Sequence, residues 1–280
     1  KENWDDPLWK KFIRWRYDNI AGFLQEASEL IRQTNPNVAF TEVYYAGVGQ
    51  SWSAGWSSEK TSAPLDYLLV DKTSAGLISQ ICRYYRALSR HRPEIAVGNE
   101  FVVKTPDYAY GDDLMPTTRV MFLADVMTTL ANGVTPGFES HGWYNRSFWN
   151  KKKATMCSPS FDRVYREAAR EIKKRESWLS ETEPVRYGAL FYSENSRDFH
   201  GRNDPERYTQ CYLGWYKALL DRQTLFEVLT DRNLNAQDLS QYAFLVLPNA
   251  ACLSDSQAEA IREYVRGGGG LIASYLTSLF

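Results

Sequence analysis

The chain has 280 residues, of which 44% are hydrophobic and 24% charged, so it can bury a core large enough for one large domain or two ordinary ones. Its 33 basic and 34 acidic side chains give a formal charge of −1, which provides no general attraction to nucleic acid or to an anionic membrane. No apolar run reaches the roughly 18 residues that a membrane span needs, so the sequence predicts neither a nucleic-acid-binding nor a membrane protein.

The cysteines are far apart in the sequence and form no Cys-x-x-Cys pair. This spacing predicts free thiols and no metal site at Cys82, Cys157, Cys211 and Cys252. The start at Lys1, directly before a helix, and the end on an apolar strand-like run predict an internal piece of a longer protein. The cellular compartment stays open, with the cytoplasm favoured.

The first predicted element is a long amphipathic helix over residues 8–33, where apolar side chains recur at steps of three and four. We expect one buried face, formed by Phe12, Trp15, Ile20, Phe23, Leu24, Ala27, Leu30 and Ile31. The breakers Asn35 and Pro36 end this helix.

Strands and helices then alternate. Runs of branched and aromatic residues predict strands at residues 38–45, 65–71, 94–103 and 133–139. Helical periodicity predicts helices at residues 76–90 and 116–132, and a charged helix at residues 161–179. This alternation is typical of parallel βαβ units, which build either a barrel or a doubly wound sheet.

Each of these four strands carries an acidic residue at or near its carboxyl end, namely Glu42, Asp71, Glu100 and Glu139. Barrel enzymes place their catalytic groups at that end of the strands, so the four acids favour a (β/α)₈ barrel. Taken one at a time, each acid could equally be a solvated loop carboxylate or a helix N-cap.

The content of 9 Trp and 18 Tyr is high, and many of these residues lie near predicted loops. The apolar faces of sugar rings stack on aromatic side chains, so this composition favours a carbohydrate-binding cleft, although core packing is the commoner use of such residues.

A linker at residues 180–184 precedes a second βα pattern. Strands are predicted at residues 186–192, 225–230 and 243–248 and from Leu271 onward, and helices at residues 204–223 and 254–265. Ser254 and Gln257 form a predicted capping box. We expect a partial barrel over residues 1–180 and a doubly wound domain over residues 184–280, truncated at its carboxyl end.

The glycine run from Gly267 to Gly270 follows a helix and opens a strand. A phosphate-binding loop has the opposite order, because it follows a strand and opens a helix. The run is therefore interpreted as a helix end.

The second pattern resembles the trimerisation domain of the glycoside hydrolase family 42 β-galactosidases. The resemblance rests on a strand that ends in Leu-Pro-Asn, a helix, and a Tyr-Val-x-Gly turn into the next strand. The residues that carry it are Val185-Arg186-Tyr187-Gly188-Ala189-Leu190, Tyr242-Ala243-Phe244-Leu245-Val246-Leu247-Pro248-Asn249 and Tyr264-Val265-Arg266-Gly267-Gly268-Gly269-Gly270-Leu271-Ile272. It implies a flavodoxin-like, glutamine-amidotransferase-like fold, a homotrimer and no organic cofactor.

In the first part of the chain, the resemblance implies that the four strands are the fifth to the eighth of a barrel. The sequence Asn99-Glu100 is similar to the end of the seventh strand, which carries the nucleophile of retaining enzymes of this clan. The acid/base partner belongs to the fourth strand and would precede Lys1. Retaining hydrolysis needs both carboxylates, so we expect Glu100 to be the nucleophile of a site that this stretch of sequence does not complete.

Further sugar-binding residues are expected around Glu100 from their predicted rim positions, namely Asn99, Glu42, Asp71, Glu139 and Trp143. After the eighth strand this chain has Phe138-Glu139-Ser140-His141-Gly142-Trp143, where the β-galactosidases usually carry a phenylalanine, glutamine, tryptophan and arginine run. The galactose specificity therefore stays open.

Two other functions are compatible with the same fold. A barrel relative that has lost its acid/base residue could bind carbohydrate without cleaving it, with avidity from the oligomerising domain. An active amidotransferase is disfavoured, because Cys252 has neither a glycine-flanked elbow nor a later histidine to act as base.

Overall fold

The computed structural model describes residues 3–45, 55–71, 78–89, 91, 93–97, 116–138, 159–180, 182–200 and 205–279. Helix α1 (Pro7–Thr34) comes first and is followed by strands β1 (Val43–Tyr45), β2 (Leu69–Asp71), β3 (Glu94–Val97) and β4 (Thr135–Phe138). The helices of this part are α2 (Ser58–Ser62), α3 (Ile78–Leu88), α4 (Pro116–Ala131) and α5 (Pro159–Leu179).

The second part begins with strand β5 (Gly188–Phe191) and a π-helical turn (Ser196–His200). It continues with α6 (Pro205–Asp221), β6 (Phe226–Leu229), α7 (Ala236–Leu239), β7 (Phe244–Pro248), α8 (Asp255–Arg266) and β8 (Gly270–Ser274).

The described strands form two parallel sheets of four strands each. The first sheet has the sequential order β1-β2-β3-β4, with Tyr45 opposite Asp71 and Asp71 opposite Ala96. The second sheet has the order β6-β5-β7-β8. The predicted class, α/β with parallel strands, is confirmed.

Helix α1 begins and ends where the sequence predicts. The carboxylate of Asp6 accepts a hydrogen bond from the backbone N–H of Leu8 at 2.8 Å, and Pro7 fits the first turn because its missing N–H needs no partner there. At the other end, the Asn35 N–H donates to the Ile31 carbonyl before Pro36 prevents further helix.

The predicted buried face of α1 is wrong for half of its members. The residues left largely exposed are Phe12 at 43%, Trp15 at 59%, Phe23 at 68% and Leu30 at 65%. The buried face instead contains Ile13, Tyr17, Leu24 and Ser28. Two hydrogen bonds to distant residues fix this rotation, since Ser28 donates to the Pro64 carbonyl at 2.8 Å and Tyr17 donates to Asp198 at 2.7 Å.

The predicted end signals of α8 are confirmed. Ser254 and Gln257 form a reciprocal capping box, in which the Gln257 N–H donates to Ser254 Oγ and the Ser254 N–H donates to Gln257 Oε1. Gly268 then has a φ of +96°, a backbone conformation that side chains with a Cβ avoid. The glycine run therefore ends the helix, as expected.

One hydrophobic core extends between the two sheets, and aromatic rings form much of it. Tyr84 of α3 contacts Tyr192, the residue after β5, edge to face with ring centroids 5.0 Å apart. Tyr192 in turn contacts Tyr212 of α6 at 4.9 Å. A second core lies between α8 and the other face of the second sheet and includes Phe191, Leu245 and Ile261.

Helix α3 is one of the elements that join the two sheets. Its inner side chains pack on Val70 and Ile95 of the first sheet within the shared core. Arg83 donates to the Phe226 carbonyl at 2.8 Å and to Asn132 at 2.9 Å, and Arg86 forms an ion pair with Glu227 of β6. The helix is thereby bound to β6 and to the end of α4 at once.

Most differences from the predicted helices and strands concern short elements. The described strands of the first sheet have three or four residues, and α2, α7 and the π-helical turn were not predicted. None of the helices in the described parts of the chain is long and apolar enough to cross a membrane.

Two glycine substitutions test the packing of the second sheet. A Cβ on Gly188 of β5 would lie 2.0 Å from the ring of Phe244, so Gly188→Ala should lower the free energy of unfolding by about 1–3 kcal/mol. Gly214, in the exposed part of α6, has no atom within 4 Å of such a Cβ, so Gly214→Ala should be neutral or stabilising by up to about 1 kcal/mol. Urea unfolding of both variants measures the difference, and equal stabilities would contradict the described packing.

Candidate functional site

The carboxyl ends of β1–β4 lie at one edge of the first sheet, where the sequence predicts a sugar-binding site. Asp71 is the last residue of β2, in register with Tyr45 and Ala96, so its backbone lies at this edge. The other residues expected there, Asn99, Glu100, Glu139 and Trp143, lie outside the described residues.

Glu42 directly precedes strand β1, whose described residues are Val43–Tyr45, so it lies three residues, about 10 Å, before the last described residue of that strand. The preceding residues are bound to the segment before β2, since the Phe40 N–H donates to Asp66 at 2.8 Å and Thr41 donates to the Tyr67 carbonyl at 2.8 Å. Partial burial raises the pKa of Glu42.

A cluster of buried polar side chains lies where the polar segment (residues 193–200) after β5 meets α1, α2 and α3. Glu194 is its centre, with 4% of the residue exposed. Its carboxylate accepts hydrogen bonds from the Ser57 hydroxyl, from the Ser58 N–H at 3.0 Å and from the Tyr84 hydroxyl at 3.1 Å. We call the first sheet with its helices, up to residue 180, the first sheet unit, and the second sheet with its helices, from residue 182, the second sheet unit. The carboxylate of Glu194 in the second sheet unit therefore caps the start of α2 in the first.

Arg197 and Asp198 form the second part of the cluster, and both are buried. The guanidinium binds the carboxylate through two bonds, Nε to Oδ1 at 2.6 Å and Nη2 to Oδ2 at 2.9 Å, and Nη1 donates to the Tyr192 hydroxyl at 2.9 Å. Tyr17 of α1 donates to Asp198 at 2.7 Å. This bidentate geometry is the strong form of an arginine–carboxylate pair.

The tyrosines around these carboxylates are held as neutral hydrogen-bond donors. Burial, followed by the nearby negative charges, raises the pKa of Tyr17 and of Tyr84 far above the usual value. Neither phenol will act as a proton acceptor near neutral pH. The paired part of the cluster therefore joins the two sheets and carries no group poised for catalysis.

Two further carboxyl groups, Glu59 of α2 and Asp231 after β6, lie beside Glu194. Burial is the main cause that raises the pKa of Glu59 to about 8, and the charges of Glu194 and Asp231 add to it. Burial also raises the pKa of Asp231 to about 6. No group of three or more His, Cys, Asp or Glu side chains in the described ranges has the arrangement of a metal site.

Sequence reasoning missed this cluster. Residues 193–200 contain Ser193, Glu194, Ser196, Arg197 and Asp198 directly after a buried strand, which is an unusual density of polar groups at that position. This density of polar residues can be recognised in the sequence. The residues that bind them cannot be, because Tyr17 and Asp198, for example, are 181 residues apart in the chain.

The second part of the chain matches a known family. Residues 186–280, about a third of the chain, match the family model described as the β-galactosidase trimerisation domain. The resemblance predicted from the sequence is confirmed. The matched residues include the whole second sheet and the polar segment that contacts the first sheet.

Solved structures of three glycosidases are among those similar to the chain. The crystal structure of β-galactosidase from Bacillus circulans sp. alkalophilus has a TM-score of 0.62 at 16% sequence identity, covering 92% of this chain and 38% of that one. The α-L-fucosidase isoenzyme 2 from Paenibacillus thiaminolyticus has a TM-score of 0.55 at 16% identity, covering 90% and 35%. The crystal structure of β-galactosidase from Bifidobacterium adolescentis has a TM-score of 0.29 at 22% identity, covering 34% and 42%.

The first two of these likenesses show a fold shared over nearly the whole chain. The chain spans less than half of the length of each of the three proteins. The relationship to the glycoside hydrolases thus combines a family match for the second part with a fold match for both parts.

An aspartate-to-asparagine substitution at two positions tests the buried Arg197–Asp198 pair. Asp198→Asn should lower the free energy of unfolding by about 3–5 kcal/mol, because Arg197 would stay buried without its counter-charge. Asp221→Asn removes the partner of Lys217 in an exposed pair of α6, and it should change stability little. Urea unfolding of both variants makes the comparison, and equally small effects would show that the Arg197–Asp198 pair is not buried as described.

Proposed function

We propose that this chain is part of a retaining glycoside hydrolase of the β-galactosidase type, which hydrolyses terminal glycosidic bonds in carbohydrates. The observation that carries the proposal is the match of residues 186–280 to a β-galactosidase trimerisation domain. The fold that the chain shares with a β-galactosidase over 92% of its length, and with a fucosidase over 90%, supports it.

The domain organisation that goes with this proposal is a half-barrel over residues 1–180 and a flavodoxin-like domain over residues 184–280. Four parallel strands in sequential order, with helices between them, are what half of a (β/α)₈ barrel requires. The order β6-β5-β7-β8 corresponds to 2-1-3-4, the start of the flavodoxin-like order. Both orders support the two proposed folds.

Glu100 is the proposed nucleophile. The described part of β3 ends at Val97, and Glu100 is three residues further along the chain. Catalytic groups of barrel enzymes occupy the carboxyl ends of the strands. A carboxylate there would attack the anomeric carbon and form a covalent glycosyl intermediate, and a second carboxyl group about 5–5.5 Å away would protonate the leaving oxygen and then activate water.

Asn99, Asp71, Glu139 and Trp143 are the proposed sugar-binding companions of Glu100. Asp71 supports this grouping because its backbone ends β2 at the same edge. Carboxylate and amide groups bind sugar hydroxyls, and a tryptophan ring can stack on a sugar face. Glu42, which directly precedes β1, is proposed as a further companion. No organic cofactor takes part in the proposed reaction.

Replacing the proposed nucleophile tests the reaction. In the complete polypeptide that contains this sequence, Glu100→Gln should reduce kcat by at least about 10³-fold, because the amide cannot form the glycosyl intermediate. The measurement is nitrophenol release from a panel of aryl β- and α-glycosides, which also identifies the sugar. The matched control is Glu26→Gln on the exposed surface of α1, which should leave the rate unchanged.

Unchanged hydrolysis by the Glu100→Gln variant would eliminate the proposed nucleophile. Sugar binding without any hydrolysis by the unsubstituted protein would favour the alternative, a barrel that binds carbohydrate and does not cleave it.

The chain is also proposed to form a homotrimer through its second domain, residues 184–280. The name of the matched domain motivates this.

Sedimentation velocity tests the trimer. The chain has a mass of 32.2 kDa, and we expect a species of three times that mass. A single-chain mass for the unsubstituted protein would contradict the proposal.

A further inference from the structure

Glu59 is a buried carboxyl group that lacks hydrogen-bond donors. It lies in the first turn of α2, and its side chain is 11% exposed. Neither of its carboxyl oxygens has a hydrogen-bond partner among the described residues. Thr230 of the second sheet unit approaches it without reaching hydrogen-bond geometry. An ionised carboxylate in such a place would forgo the donors that normally offset the cost of burying charge.

The backbone around Glu59 is held firmly from the second sheet unit. Its N–H donates to Glu194 at 3.4 Å, and its carbonyl accepts a bond from Arg232. Arg232 also donates to the Ser62 hydroxyl at 2.8 Å, at the other end of α2. The backbone of Glu59 therefore cannot move away from its neighbours without breaking contacts between the two sheet units.

The charges that face Glu59 are predominantly negative. Among the described residues, the titratable groups near Glu59 and its carboxyl neighbours are Glu194, Arg197 and Asp198 of the polar segment, Asp231 and Arg232 after β6, Tyr84 of α3 and Tyr208 of α6. Arg232 is the nearest cation, with Nε 3.7 Å from a Glu59 oxygen, and its side chain is 35% exposed. Arg197 is bound to Asp198 and lies 3.9 Å from Glu194.

Asp231, in the second sheet unit, also has a buried carboxyl oxygen without a hydrogen-bond donor. Its Oδ2 accepts the Asn195 N–H at 3.2 Å, but its Oδ1 is buried without a hydrogen-bond partner. Three carboxyl groups with two cations, one of them already paired, cannot all be ionised there at low cost.

We infer that Glu59 is kept protonated near neutral pH, and that release of this proton weakens the contact between the two sheet units. The proton balance is simple: the Glu59 carboxyl group loses its hydrogen to solvent and becomes a carboxylate. The new negative charge then repels Glu194 and Asp231 across the contact. The inference is independent of the proposed hydrolase activity, because it concerns only how the two units hold together.

The direction of the pH effect follows from linkage. Burial and the neighbouring carboxylates raise the pKa of Glu59 from its ordinary 4.5 to about 8, so the folded chain binds more protons than the unfolded chain between these values. The stabilisation from this group is fully present below pH 4.5 and is lost as the pH rises to about 8.

The experiment compares wild type with Glu59→Gln, whose amide keeps the shape of the protonated acid and cannot ionise. Thermal unfolding is followed from pH 5 to pH 9. The variant should match wild type at the acid end and exceed its Tm by roughly 5 °C or more at the alkaline end. Carbon NMR of labelled glutamate should show one carboxyl group that titrates well above the others and is missing in the variant.

Two further variants make the result specific. Asp231→Asn removes a neighbouring negative charge, so the glutamate carboxyl group that titrates above the others should shift its titration midpoint to lower pH. This NMR measurement can be made even if Glu59→Gln folds poorly. Glu26→Gln, at an exposed position of α1, should give the wild-type Tm at every pH.

Parallel Tm curves for wild type and Glu59→Gln, with every glutamate titrating near its ordinary pKa, would overturn the inference. So would stabilisation of wild type by Ca²⁺ or Mg²⁺ at pH 8 that Glu59→Gln abolishes, because the carboxyl groups would then hold a cation and not a proton.

Discussion

The carboxylate of Glu194 is buried between the two sheets, and the donors that make its burial tolerable come from the other part of the chain. A buried carboxylate without donors would cost several kcal/mol. The polar segment that carries it can therefore exist in this form only when Ser57, Ser58 and Tyr84 are in place. This dependence explains why the start of α2, the inner face of α3 and the exit of β5 form one connected arrangement.

Helix α3 connects the two sheets through apolar contacts, as Glu194 does through polar ones. It lies on the first sheet and also contributes Tyr84 and Tyr85 to the core that continues into the second sheet. Arg83 and Arg86 extend this connection at the end of the helix that meets β6. The boundary between two secondary-structure patterns in the sequence is therefore not a boundary in packing, because one core serves both sheets.

Local features of this fold were predictable, and long-range ones were not. Asn35 and Pro36 predicted the end of α1, and Ser254 with Gln257 predicted the start of α8, because these signals involve residues a few positions apart. The rotation of α1 depends on Tyr17 meeting Asp198, so hydrophobic periodicity chose the wrong face. The contacts of Phe40 with Asp66 and of Thr41 with Tyr67 just before β1 were also not predictable, because pairing partners are not visible in one strand's sequence.

The shared tyrosine core has a consequence for how such a chain can change over evolution. Moving residues 184–279 onto an unrelated protein would expose Tyr192 and Tyr212 to water and would leave Glu194 without the serine and tyrosine donors that bind it. A graft joined at the 180–184 linker would keep these groups packed and paired only if the new host offered a matching helix. Substitutions in α3 must therefore satisfy two surfaces at once.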